Sequence, residues 1–350
     1  MDLPPSLAWL VDEAAAVPGP DRFLADLGAR LVAEGLPLAG GALTLAVPHP
    51  IIARRTWLWR ADTGAVMEAL GFGAGDATGR DWLAKLGPVL EAPIGPEGDG
   101  TRLAWAGSRP FDPDETGRLG LVARHAAAPL AALAARETLT ALLRAYLGKR
   151  SAARVQAGAL GRGTGETIRA ALLYADLRDF TAMSETSEPA LVIAALDAWF
   201  DRVAGAVHAF GGEVLKFIGD GLLAIFPVTG EPAEACEAAL RAVVAARAGM
   251  AYLDSQRAGQ GLPPLPFGAA LHLGDVLWGN VGAVDRLDFT AIGPAVNLVS
   301  RLQGLCRPLG RSVLVSGDLA ALTRTPLLRL GEHELRGIAR PCAVFTLAEG

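Results

Sequence analysis

The sequence predicts an α/β protein of two domains, the second an α+β sandwich on a mixed sheet with flanking helices. Three observations predict it. The chain has 350 residues, room for two separate cores. A Gly-, Ala- and Arg-rich stretch at 148–167, ending in Gly161-Arg162-Gly163-Thr164-Gly165, interrupts the pattern as a linker does. Beyond it, short apolar runs alternate with helix-length stretches.

Residues 1–40 read as helical, punctuated by Pro18-Gly19-Pro20 and Gly35-Leu36-Pro37. Strands are predicted at Ala42–Val47, Arg55–Trp59 and Thr101–Trp105, where apolar, β-branched and aromatic residues gather. Pro110-Phe111-Asp112-Pro113-Asp114-Glu115 reads as a turn and helix start. In the long helix that follows, Leu119, Val122, Ala126, Leu130, Leu133, Leu139, Leu142 and Tyr146 recur at three- and four-residue steps on one face. Pro129 is expected to bend it.

After the linker the expected order is a strand at 169–175, a helix near 189–210, and a hairpin at 213–227 around Gly219-Asp220-Gly221. A helix near 232–257, strands near 267–282, a helix near 294–306 and strands near 312–316 and 342–347 complete it.

Composition narrows the function classes. Hydrophobic residues make up 51% of the chain and charged ones 20%, which is globular material. A net charge of −5 argues against a nucleic-acid binder, which needs a concentrated basic surface. No run reaches the roughly 18 consecutive apolar residues of a membrane span. Met1-Asp2-Leu3-Pro4-Pro5 lacks the basic start and apolar core of a signal peptide, so a cytoplasmic protein is expected. Cys236, Cys306 and Cys342 lack CxxC spacing and read as small buried residues in a reducing compartment. His49, His125, His208, His272 and His333 show no ligand-like spacing.

The chemistry concentrates in three segments. Leu172-Leu173-Tyr174-Ala175-Asp176-Leu177-Arg178-Asp179-Phe180-Thr181 is an apolar run that ends in an aspartate and turns into a helix. A buried strand thus delivers a carboxylate to its tip, suited to a divalent cation carrying a phosphorylated substrate. A lone strand-end aspartate is ordinarily a cap or turn residue. Lys216-Phe217-Ile218-Gly219-Asp220-Gly221 supplies a second, in a Gly-bounded turn. The third segment, Asp288–Leu302, sets Asn297 and Arg301 at i and i+4 on one helix face, an amide and a guanidinium able to hold a sugar and a charged phosphorus centre.

Together these segments resemble the catalytic domain of class III nucleotidyl cyclases. The likeness runs from about residue 168 to 347 and includes a Gly279-Asn280-Val281-Gly282 turn and a closing Glu334-Leu335-Arg336-Gly337-Ile338 segment. It implies a palm-like mixed sheet, and two Mg²⁺ or Mn²⁺ ions per active site held by Asp176, Asp220 and the Leu177 carbonyl. Phe180 and Thr181 would lie in the turn that wraps the phosphates. Asn297 would orient the ribose, Arg301 would neutralise the transition-state phosphate, and Arg336 stands near the family's triphosphate-binding Lys. A homodimer is implied, each site taking its aspartates from one copy and Lys216, Thr290, Asn297 and Arg301 from the other.

Lys216 and Thr290 bear on the base. Lys216 only donates, which suits adenine N1, and the Thr290 hydroxyl can accept from adenine N6. Guanine reverses both demands, so ATP is the expected substrate and guanylate cyclase the alternative. A degenerate domain that binds nucleotide without catalysis is the other alternative. Two positions depart from the family: Asp179 replaces a usual Gly in the phosphate turn, and Pro294 replaces a commoner Asp.

The N-terminal region resembles, by pattern, a GAF-like α/β sensory domain that could take a small-molecule effector. Trp9, Trp57, Trp59, Trp82 and Trp105 could line its pocket, though core packing is the ordinary use of Trp. The expected division is a sensory domain over 1–135, a helical linker over 136–167 and a cyclase domain over 168–350. Helix 114–147 is expected to couple the two, pairing with its copy in the dimer.

Overall fold

The computed structural model describes residues 3–46, 54–71, 78–94, 101–159 and 161–348. Val47, the expected end of the first strand, and His49 lie outside them. The chain divides into two compact units, Met1–Tyr146 and Leu147–Gly350.

The first unit runs α1 (Pro5–Asp12), α2 (Pro20–Ala33), β1 (Leu38–Ala46), β2 (Arg54–Arg60), β3 (Val66–Gly71), α3 (Thr78–Ala84), β4 (Val89–Pro93), β5 (Arg102–Gly107) and α4 (Pro113–Leu147). Its strands form an antiparallel sheet in the order β3-β2-β1-β5-β4. The strand signal starts at Leu38, three residues before the expected switch at Gly41. Alternation along β1 explains the two faces: Leu43 and Leu45 join the core that includes α2 and α4, while Ala42 faces Leu83 of α3. Trp9, Trp57, Trp59 and Trp105 are core residues, and Trp82 packs half-buried on the smaller cluster.

In α4, Leu119, Val122, Ala126, Leu130 and Leu133 are buried, whereas Leu139, Leu142 and Tyr146 are exposed. The helix continues through Pro129, which is held in the core between Ala126 and Leu130. By length and composition α4 could also cross a membrane, with 22% of its most apolar window buried.

The second unit runs α5 (Lys149–Gln156), β6 (Gly165–Leu177), α6 (Phe180–Thr186), α7 (Pro189–Ala209), β7 (Glu213–Ile218), β8 (Gly221–Pro227) and α8 (Pro232–Gly259). Then follow β9 (Phe267–Gly282), β10 (Leu287–Ile292), α9 (Pro294–Gly304), β11 (Val313–Ser316), α10 (Gly317–Ala320), β12 (Leu327–His333) and β13 (Cys342–Leu347). Eight strands form one sheet, β12-β13-β11-β9-β6-β8-β7, with β10 paired to β9. Only the β11–β9 pairing is parallel, which makes the sheet mixed.

Along β6, Ala171, Leu173, Ala175 and Leu177 pack on α7 and α8, while Ala170, Leu172 and Tyr174 pack on the face that carries α9. Asp176 continues that second set and ends it.

Four expectations need adjustment. β6 begins at Gly165, because its pairing with β9 runs from Gly165 to Leu177. The expected linker at 136–167 holds the last turns of α4 and all of α5, whose Ser151 and Ala152 are fully buried. The Gly279–Gly282 turn is instead the end of β9, paired to β10, and the chain reverses at 283–286. The fourth is β12, an added edge strand whose alternation is broken by a register shift between Arg329 and Gly331.

Candidate active site

Two carboxylates meet at one end of the sheet's strands. Asp176 lies one residue from the end of β6, opposite Gly221 on β8 and Gly268 on β9. Asp220 occupies the tight turn between β7 and β8, where Gly219 supplies the left-handed φ of 62°. The Trp199 indole N–H donates to the Asp220 carbonyl at 2.9 Å and pins that turn to α7.

Asp176 Oδ1 is buried and has no hydrogen-bond partner. Burial raises the Asp176 pKa to about 7, helped by a hydrogen bond and charge repulsion from Asp220, while the Leu177 backbone works the other way. Burial first, then the charges of Asp176 and Asp220, also raises the Tyr174 pKa, with Ser300 on α9 opposing them. A buried, unspent carboxylate oxygen beside a second carboxylate is unfavourable alone and suits a divalent cation. Mg²⁺ or Mn²⁺ fits this oxygen set: Asp176, Asp220 and the Leu177 carbonyl would hold it. Among the described residues no cluster of three or more Asp, Glu, His or Cys forms such a site. The remaining ligands would be water and substrate oxygens, as is usual for Mg²⁺.

The turn after β6 explains the Asp179 departure. Asp179 adopts φ 58°, a left-handed conformation that Gly takes freely and Asp tolerates. Its carboxylate lies 3.3 Å from the Arg307 guanidinium, with both side chains exposed. The negative charge is therefore countered in place. Phe180 packs half-buried on the α7–α8 core and Thr181 is exposed.

A second group assembles from β7 and β10. Lys216 Nζ lies 3.2 Å from Asp288 Oδ2. Thr290, two residues further along β10, is 2% exposed, and its hydroxyl has no partner. Phe289 and Ala291 face the core, so Asp288 and Thr290 share the other face. A cation held by a carboxylate thus shares a strand face with an unspent hydroxyl.

Asn297 and Arg301 stand on α9, where Pro294 opens the first turn as proline readily does. Ala295, Val299 and Leu302 anchor the helix, leaving the Asn297 and Arg301 side chains exposed and without hydrogen bonds or ion pairs among the described residues. Arg336 is exposed in the loop after β12, beside the buried Leu335. The fold therefore brings Asp176 to Asp220 and sets Lys216 beside Asp288, on the Thr290 strand. Among the described residues no hydrogen bond joins Asn297, Arg301 or Arg336 to either group. Sequence reasoning missed Asp288, Ser300 and Arg307, whose partners are remote in the chain. The position of Asp288, two residues before Thr290 on a strand, was the available signal.

The profile of the adenylate and guanylate cyclase catalytic domain matches residues 165–347, just over half of the chain and nearly all of β6 to β13. The chain belongs to this cyclase family. Adenylate cyclase 1 of Rhizobium meliloti (strain 1021) is 34% identical over 149 residues, 43% of this chain and 22% of that protein. The adenylate cyclase of Anabaena cylindrica is 32% identical over 158 residues, 44% of this chain and 30% of that protein. The chain thus spans under a third of either relative's length. A bacterial light-regulated adenylyl cyclase structure superimposes with a TM-score of 0.55 at 18% identity, covering 74% of this chain and 85% of that one, which speaks to fold alone. The family match begins at the first residue of β6, so the first unit and α5 lie outside the cyclase region.

Proposed function

We propose that the chain is an adenylate cyclase that converts ATP to 3′,5′-cyclic AMP and pyrophosphate at sites shared by two copies of the chain. The observation that carries the choice of base is that a donor, Lys216, is held by Asp288, two residues before the unspent Thr290 hydroxyl on β10. Adenine offers the acceptor N1 to a lysine and the donor N6 to a hydroxyl. Guanine would set its N1–H donor against the ammonium.

Asp176, Asp220 and the Leu177 carbonyl would hold two ions, which supply Lewis-acid activation of the ribose 3′-hydroxyl and charge neutralisation of the triphosphate. The 3′-hydroxyl gives up its proton to solvent, its oxygen attacks the α-phosphorus in line, and the bond from the α-phosphorus to the bridging oxygen breaks as pyrophosphate leaves. Asn297 orients the ribose by hydrogen bonding. Arg301 places forked donors on the phosphate oxygens where charge accumulates. Arg336 holds the outer phosphates.

Asn297 and Arg301 are exposed and unspent, which supports a site completed by a second copy. Exposed apolar residues, Phe217 and Ile218 on β7 and Leu287 and Ile292 on β10, offer it a surface. The exposed Leu139, Leu142 and Tyr146 support pairing of α4 with its copy, through which the GAF-like unit would regulate turnover. Assay of the purified protein with Mn²⁺ and either nucleotide tests the proposal. Cyclic AMP from ATP is expected, and a kcat/KM for GTP equal to or above that for ATP would overturn it.

A further inference from the structure

The polar groups that the cyclase chemistry does not use gather in a second cleft. It has a volume of about 530 Å³ and lies between α8, the start of β9 and the segment before β11. Val244, Leu265 and Phe267 contribute apolar wall; Arg178, Arg247 and Ser312 contribute donors.

Their hydrogen bonding is incomplete. Arg178 gives Nη2 to the carbonyls of Cys306, at 3.3 Å, and Arg311, but its Nε is buried without a partner. Among the described residues Arg247 makes no hydrogen bond or ion pair, and the Ser312 hydroxyl makes no hydrogen bond. Asp254, also in the wall, accepts the Leu265 N–H at 2.8 Å and so fixes the loop that forms the rim. Two guanidinium groups against one carboxylate leave a net charge of +1. A mostly apolar wall with a few unspent donors and a single excess positive charge suits an organic monoanion.

We infer that this cleft binds a small carboxylate with an apolar body and regulates the cyclase site through Arg178. The carboxylate lies between the Arg247 and Arg178 guanidinium groups and the apolar body lies on Val244 and Phe267. Arg178 is two residues from Asp176, its N–H holds the Pro266 carbonyl at 2.7 Å, and its guanidinium ties the α9–β11 loop. An occupant that engages Arg178 therefore acts on the strand end that carries Asp176. The binding claim stands apart from the proposed reaction; the regulatory claim rests on it.

The test uses the full chain and benzoate as probe, with benzamidine, the same shape with opposite charge, as control. Isothermal titration is expected to show saturable benzoate binding that Arg247→Ala weakens at least tenfold and Ser312→Val also weakens. Equal benzoate affinity in wild type and both variants, or equal binding of benzamidine, overturns the site. Benzoate is expected to shift ATP turnover in wild type and not in Arg247→Ala. Proven binding with unchanged turnover, in a protein that makes cyclic AMP, overturns the regulatory claim.

Discussion

The buried carboxylate of Glu213 accepts two hydrogen bonds from Ser151, the N–H at 3.0 Å and the hydroxyl at 2.8 Å. The Arg150 N–H adds a third at 2.9 Å. A carboxylate at the first residue of β7 thus satisfies the free donors at the N-terminus of α5, the helix directly after α4. Lys216 lies three residues further along β7, so this clamp joins α5 to the strand that carries Lys216. Gly148, immediately before α5, has φ 81°, and a Cβ there would meet Glu213 Oε1 at 2.9 Å.

Gly148→Ala is therefore expected to destabilise the protein by at least about 1–2 kcal/mol, the cost of left-handed backbone for a residue with a Cβ. Urea unfolding measures it. A variant as stable as wild type would show that the clamp tolerates rearrangement.

The metal site gives the second expectation. Asp176→Asn and Asp220→Asn would each delete a proposed ligand and also relieve the repulsion within the pair. Cyclase activity should fall by more than the roughly 10–100-fold typical of outer-shell changes. The melting temperature of the metal-free protein should hold or rise. Activity within a few-fold of wild type would overturn the ligand assignment.

Much of this site was legible because its motifs are local. The strand before Asp176, the Gly-bounded turn at Asp220 and the i, i+4 pair Asn297/Arg301 each lie within a short segment. The Lys216–Asp288–Thr290 group was only half legible. Lys216 and Asp288 are 72 residues apart, and nothing in local periodicity says that β7 and β10 approach each other. The Glu213–Ser151 clamp spans 62 residues and fell within a Gly-rich stretch that read as linker. The strand β12 escaped because a register shift between Arg329 and Gly331 breaks its alternation.

The unspent Thr290 hydroxyl leads to the third expectation. Thr290→Ala removes one neutral hydrogen bond to adenine N6, worth about 0.5–1.5 kcal/mol, so the ATP:GTP ratio of kcat/KM should fall up to about tenfold. Asp288→Ala frees Lys216 from its partner and should raise KM for ATP more than it lowers kcat. A kcat loss with unchanged KM would place Asp288 in the chemistry instead.

A pH effect follows from His272. Burial depresses its pKa below the ordinary 6.5, partly offset by the charge of Asp318. Ser316 Oγ lies 2.8 Å from Nδ1, and the Asp318 carboxylate, 66% exposed, lies 3.6 Å away. The unfolded chain binds this proton more readily than the fold does. The stability contribution is thus present above pH 6.5 and is lost as pH falls through the depressed value. His272→Gln should flatten that part of the stability profile between pH 7 and 5 in urea titrations. An unchanged slope would assign the acid sensitivity to other groups.

The shared-site proposal makes the sharpest demand. Lys216 and Asp220 sit four residues apart on one hairpin, yet one is assigned to adenine and the other to the ions at the triphosphate. The ribose and α-phosphate separate those two ends of ATP, so one short hairpin cannot serve both ends of one bound molecule. Two copies resolve this, each hairpin giving Asp220 to one site and Lys216 to the other. Asp176→Ala and Arg301→Ala chains should each be inactive alone. In the mixed dimer both lesions fall in one site and the other is intact, so mixing should restore up to about half the activity per mixed dimer. Labelled subunits report exchange independently. Complete exchange without recovered cyclic AMP formation would sink the shared site while leaving the metal and base assignments to their own tests.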